Sequence, residues 1–222
     1  MKSLHALLSV LLFIALMVGL VWLGLSDGHA ASYKAKDRCE QYRSIVNTEL
    51  RRYYNDDTQA ARFLAQLDAE SACKTHARSP VGAVGLAQFM PFTWKDMKRW
   101  YPRQLSRCTP NIAECAIRAQ VLYMKRLEAY VRRVIKPESD CAKIAMATAG
   151  YNAGVGWIRK ESRKCDLITG CNGQLYFNNT QTMCVRRTSA CKETRHYVKR
   201  ILSVRQIAYI LANNVMVCGQ HN

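Results

Sequence analysis

Negative charge is scarce in this chain. Its 222 residues hold 16 Asp and Glu against 33 Lys and Arg, a formal net charge of +17 at pH 7. That balance favours an anionic partner, whether a wall polymer, a membrane surface or a nucleic acid. Zinc-finger spacing, a basic zipper and RNP-like aromatic motifs are all missing, so no nucleic-acid partner is expected. Cys-x-x-Cys pairs are also absent, and His76, His196 and His221 show no ligand spacing, so no metal site is expected. Nothing in the chain implies a nucleotide or other cofactor. Internal repeats and low-complexity tracts are lacking too, which leaves one ordinary domain and an N-terminal stretch ahead of it.

Charge of either sign is missing from one long stretch. Residues 6–26 run for 21 positions without a charged side chain and are rich in Leu, Val and Ile. That length spans a bilayer, and Lys2 with the amino terminus precedes it. The small residues around His29, Ala30 and Ala31 allow the rival reading, a cleaved signal peptide. Residues 1–30 are therefore expected to be a signal-anchor or signal peptide, and residues 31–38 a polar, basic linker. Either reading exports the chain from residue 31 onward. The two charges of residues 1–30, Lys2 and Asp27, cancel, so the whole +17 belongs to the exported part.

Ten cysteines are present, and all lie beyond the apolar stretch. An even number at this density suits disulfides in an oxidising compartment. Connectivity cannot be read from the sequence. The short loops Cys108–Cys115, Cys165–Cys171 and Cys184–Cys191 are candidate local pairs, and Cys218 is placed to tie down the tail.

Apolar spacing predicts a helix from Cys39 to Tyr54. It predicts another after Asp56, Asp57 and Thr58, which offer capping oxygens. In the second, Glu70 lies seven residues after Phe63 and three after Leu67, so it shares their core-facing stripe. Asp68 points elsewhere. A carboxylate aimed at apolar surface is costly when ionised, which raises its pKa and suits a general acid. The plainer alternative is a helix-end Glu that turns to solvent or pairs with a cation. Gly82 and Gly85 come next, then Gln88 among Leu86, Phe89 and Met90, and Pro91 at a helix start. Further helices are predicted over Pro91–Trp100, Asn111–Lys136, an Ala-rich run capped by Ser139 or Asp140, and Glu193–Asn213. Between the last two, residues 163–191 carry four cysteines and few helical signals, and read as a disulfide-pinned insertion.

Three ordered motifs carry a resemblance. The first is Glu70-Ser71 followed by Ser79-Pro80-Val81-Gly82-Ala83-Val84-Gly85-Leu86-Ala87-Gln88-Phe89-Met90-Pro91-Phe92-Thr93. The second is Ala149-Gly150-Tyr151-Asn152-Ala153-Gly154. The third is Glu193-Thr194-Arg195-His196-Tyr197-Val198. Together they resemble the lytic transglycosylase (SLT) family of the goose-type lysozyme fold. The resemblance implies an α+β but mainly helical, lysozyme-like single domain over residues 39–205, with a small turn or β-hairpin region between Thr75 and Gly85. Residues 206–222 would form the helix end and tail.

By the same resemblance, Glu70 is the catalytic acid and base in cleavage of the MurNAc–GlcNAc β-1,4 bond of peptidoglycan, leaving a 1,6-anhydroMurNAc end. Ser71, Gly85, Leu86, Gln88, Met90, Tyr151, Asn152 and Tyr197 would line the substrate site. A hydrolytic goose-type lysozyme and a non-catalytic, peptidoglycan-binding assembly factor are the alternatives. The expected setting is the bacterial envelope outside the cytoplasm, anchored by residues 6–26, with a secretion, conjugation or phage-entry apparatus as possible partner. The family's acidic residue and Ile-Pro before the third motif are replaced here by Arg186-Arg187-Thr188-Ser189, which alters the groove wall.

Overall fold

Helix-forming stripes dictate most of the architecture. The computed structural model describes residues 38–210 and Cys218. The expected anchor and all but the last residue of the linker lie outside the described residues. Among the described residues, no helix is long and apolar enough to cross a membrane.

The elements in order are α1 (Arg43–Tyr54), α2 (Ala60–Ser71), α3 (Pro91–Trp100), the short α4 (Pro102–Leu105), α5 (Ala113–Val134), α6 (Asp140–Ala153) and α7 (Val155–Cys165). A 3-10 turn (Thr180–Thr182), α8 (Thr188–Lys199), a π-helical segment (Arg200–Arg205) and α9 (Gln206–Ala208) complete the described chain.

The core sits between α2, α5 and α6. Phe63, Leu64 and Leu67 of α2 are fully buried, as are Ile117, Val121 and Met124 of α5 and Ala145, Met146, Ala147 and Ala149 of α6. The small side chains of α6 permit close approach of its neighbours. Two ion pairs tie α2 and α1 to α5: Arg62 Nη2 lies 2.7 Å from Glu128 Oε1, and Arg118 Nη2 lies 2.9 Å from Glu49 Oε1. The first pair is buried on both sides.

Local chemistry sets the helix ends. Ser139 Oγ accepts from the Ala142 amide at 3.1 Å, the cap expected for α6. Asp56, by contrast, does not cap α2. Its carboxylate accepts from the Thr58 amide at 2.8 Å and forms a turn ahead of the helix, whose first turn has no side-chain cap. α2 stops where Ala72 and Cys73 turn left-handed, at φ 49° and 57°.

Three expectations need correction. The fold is mainly helical, and no strand forms among the described residues. Only two isolated bridges occur, Arg78 with Val84 and Val84 with Phe89. Pro80 has no amide hydrogen to extend a ladder, and Gly82, Gly85 and Gln88 all adopt positive φ, so the segment winds as successive turns. The last helix begins at Thr188, not Glu193, and passes into the π-helical segment at Arg200. The first is interrupted: Arg38–Glu40 are helical, Gln41 and Tyr42 form a turn, and α1 starts at Arg43.

The helix α7 has no counterpart among the predicted elements. Ile158, Glu161, Ser162 and Cys165 form its buried face. The insertion beyond it folds back onto it. Ser162 Oγ donates to the Gly173 carbonyl at 2.8 Å, and Tyr176 and Thr180 are buried. A side chain at Gly173 would lie 2.3 Å from the Ser162 carbonyl oxygen, so only glycine fits.

All ten cysteines are paired. The three local pairs form as the spacing suggested, and Cys39–Cys73 and Cys141–Cys218 complete the set.

Candidate active site

Glu70 sits in the last turn of α2, one step beyond the buried stripe of Phe63 and Leu67. Its side chain is partly buried, and burial pushes its carboxyl up to about 7. A hydrogen bond from Tyr197 and the charge of Arg200 pull it partly back. Asp68 takes no part. It is buried on another face and paired with Arg205 of the π-helical segment.

A directed hydrogen-bond chain leads to Glu70 from the core. Gln120 Nε2 donates to Gln66 Oε1 at 3.1 Å, and Gln66 Nε2 donates to Tyr197 Oη at 3.1 Å. The Tyr197 hydroxyl donates to Glu70 Oε1. All three donors are buried. Low local dielectric strengthens such a chain and makes any broken link expensive. Burial, with the Glu70 charge beside it, pushes the Tyr197 phenol well up, so it stays a donor.

Tyr151 and Asn152 lie in the last turn of α6. The Tyr151 hydroxyl donates to the Ala87 carbonyl at 2.8 Å, and its ring packs on Tyr123 and Phe89 at centroid distances of 5.3 and 5.8 Å. Asn152 Oδ1 accepts from Thr194 Oγ1 at 2.8 Å, and its Nδ2 lies 3.4 Å from Glu193 Oε1.

The expected ligand-binding residues divide into two sets. Glu70, Asn152 and Tyr197 meet around one cavity of about 230 Å³, together with Glu193, His196 and Arg200. A second cavity of about 520 Å³ shares Asn152 and Glu193 and extends past Trp157, Arg186 and Arg187.

Ser71, Gly85, Leu86 and Gln88 instead build the shelf beside Glu70. Ser71 Oγ donates to the Leu86 carbonyl at 2.7 Å, pinning the turn-rich segment to α2. Leu86 itself is fully buried. Gln88 Nε2 donates to the carbonyls of Gly85 at 2.8 Å and Ala77 at 3.2 Å. Gly85 has φ 82°, and a side chain there would lie 1.9 Å from the Pro110 carbonyl oxygen. Met90 is exposed at the start of α3.

Glu193, His196 and Arg200 were not among the expected site residues, although the first two stand in the third motif. Their signal was present. Glu193, His196, Tyr197 and Arg200 recur at three, four and seven, one helical face that includes a residue already singled out.

One further cluster has no binding capacity. Glu161 lies beside the sulfurs of Cys184 and Cys191, but these two are joined as a disulfide and offer no thiolate.

A family model for the transglycosylase SLT domain matches residues 46–166, more than half of the chain. The chain belongs to that family. Among solved structures it is similar to the lytic transglycosylase Slt of Pseudomonas aeruginosa, solved as an inactive mutant with Gln in place of a Glu. Identity is 27% and the TM-score 0.55, over 75% of this chain and 24% of that one. The SLT-domain chain thus spans about a quarter of the length of that relative. No curated protein matches it by sequence. The matched SLT segment ends at residue 166, so Tyr197, the hydrogen-bond partner of Glu70, comes from beyond it.

Proposed function

We propose that this SLT domain cleaves the MurNAc–GlcNAc β-1,4 bond of peptidoglycan as a lytic transglycosylase. The observation that carries the reading is Glu70, a carboxyl at a cavity wall, held near neutrality by burial and gripped by Tyr197. A group that titrates near 7 serves as acid and then base at ordinary pH.

Protonated Glu70 gives its proton to the glycosidic oxygen as the C1–O4 bond breaks. The MurNAc C6 hydroxyl then attacks C1, and the Glu70 carboxylate takes the hydroxyl proton. The C1–O6 bond closes the 1,6-anhydro ring, Glu70 is again protonated, and no water is consumed. Tyr197 and Arg200 stabilise the carboxylate between the two transfers. Asn152, oriented by Thr194, offers its amide to the sugar.

A hydrolytic outcome is the second reading, and Glu193 favours it. This carboxyl lines the same cavity and would be the base for a water in a two-carboxylate scheme.

The five disulfides fit an extracytoplasmic site of action, with residues 6–26 as the anchor. An enzyme placed there would serve an envelope-crossing apparatus that needs a gap in the wall.

The test is mass analysis of products from purified sacculi. Transglycosylation gives ends lighter by one water than hydrolysis does. Glu70→Gln should lower cleavage by at least about 10²-fold, the low end for a general acid, while sacculus binding persists. Reducing ends that disappear with Glu193→Gln would establish the hydrolytic reading.

A further inference from the structure

A larger cavity, of about 590 Å³, lies apart from Glu70 and shares none of its lining residues. Its size falls within the range of about 300–1,000 Å³ usual for ligand sites. Three tyrosines and three cations dominate it: Tyr53, Tyr101, Tyr130, Lys125, Arg126 and Arg133. Buried Leu122 contributes to its lining, and no acidic side chain does.

The cations here differ from those nearby. Arg51, Arg52, Arg62 and Arg118, on the surrounding helices, each pair with a carboxylate. Among the described residues, Lys125, Arg126 and Arg133 have no carboxylate partner. Two of them are nonetheless held in place. The Arg126 guanidinium lies over the Trp100 ring at 3.9 Å, and Lys125 donates to the Tyr53 carbonyl. Tyr101 is fixed by its hydroxyl, 3.4 Å from the Leu122 carbonyl.

The negative end of α5 accounts for Arg132 and Arg133 in its last turn. It does not account for Lys125 and Arg126, about two turns earlier, or for the three phenols around them. Phenol rings offer flat apolar faces with a polar tip, which suits sugar rings. Orientated, unneutralised cations suit carboxylates.

We propose that this groove is a second, non-catalytic binding site for an acidic saccharide, one whose sugar rings lie on the tyrosines and whose carboxylates meet Arg126, Arg133 and Lys125. A peptide-bearing muropeptide has that chemistry. The inference needs no cleavage and does not depend on the role of Glu70.

The test is calorimetric titration of the full chain carrying Glu70→Gln, with a soluble disaccharide-peptide and with the same ligand after amidation of its carboxyls. The double variant Arg126→Gln/Arg133→Gln is titrated in parallel, with circular dichroism to verify the fold and Arg133→Glu as the replacement if it does not fold. A binding event weakened at least tenfold by the arginine substitutions, and by amidation, supports the proposal. If such an event is present while none is attributable to the Glu70 cavity, the proposal stands and the catalytic reading is in difficulty. Binding unchanged by the arginine substitutions, or equal for the amidated ligand, overturns it. Displacement of the saccharide by a DNA duplex at lower concentration would also overturn it, in favour of a nucleic-acid surface.

Discussion

The Tyr197 hydroxyl donates to the Glu70 carboxylate across 127 positions of chain. It joins the end of α2 to the last turn of α8, and Gln66 and Gln120 continue the link into the core. The acid is therefore positioned by a helix that the family match does not reach.

Replacing that tyrosine should move the titration of Glu70. Tyr197→Phe removes a hydrogen bond that favours the carboxylate, so the Glu70 pKa should rise above about 7. The alkaline limb of the cleavage profile should shift upward with it. Urea unfolding should show a loss of about 1–2 kcal/mol, because Gln66 keeps a buried amide without its acceptor. A limb that shifts downward would contradict the assigned direction of the hydrogen bond.

Glu70 also links stability to pH. Its folded value of about 7 lies above the ordinary 4.5, so the folded protein binds this proton more tightly. The advantage is complete below about 4.5 and is lost as pH rises through about 7. Glu70→Gln removes this dependence. Relative to the parent, the variant should gain about 1–3 kcal/mol between pH 4 and pH 8, a range reduced for the partial exposure of the carboxyl. Parallel denaturant titrations at both pH values measure it, and an unchanged difference would argue that Glu70 is fully hydrated.

The insertion reaches the site through Arg186. Its Nε lies 3.1 Å from Glu161 Oε1, and its Nη2 donates to Thr194 Oγ1 at 3.1 Å, the same hydroxyl that orients Asn152. Arg186→Lys keeps a charge for Glu161 but loses the forked donor geometry. It should fold, and KM for a soluble muropeptide should rise about three- to tenfold, the worth of roughly one hydrogen bond. An unchanged KM would leave Arg186 as a purely structural residue.

The disulfides should differ in worth. Cys141–Cys218 closes a separation of 77 residues and Cys39–Cys73 one of 34, whereas the other three close 6 or 7. Chain entropy assigns about 4–5 kcal/mol to the longest and about 2–2.5 to the shortest. Serine substitution of each pair, followed by thermal unfolding, should rank Cys141–Cys218 first. Equal losses would show that local geometry outweighs loop closure.

Sequence alone determined most of the helices through local spacing, and it singled out Glu70 through that spacing together with the motif around it. Apolar residues at three and four specify α2, α5 and the stripe on which Glu70 lies. The even set of cysteines pointed to an oxidised domain, and three short loops stood out as candidate pairs, all of which form because short loops close locally. α7 escaped because its apolar stripe is short and its charged residues dominate. The hairpin expected from Thr75 to Gly85 did not form, because Pro80 and the positive-φ residues favour turns over a ladder.

Only the tertiary structure decided the chemistry around the acid. Ser71, Gly85, Leu86 and Gln88 looked like ligand-binding residues. In the fold they hold one another: the Ser71 hydroxyl and the Gln88 amide nitrogen each donate to backbone carbonyls of the turn-rich segment. The near-neutral carboxyl, its donor Tyr197 and its neighbours Glu193, His196 and Arg200 arise where the end of α8 and the π-helical segment meet the end of α2. Burial and long-range hydrogen bonds belong to assembled surfaces, and no spacing along the chain encodes them.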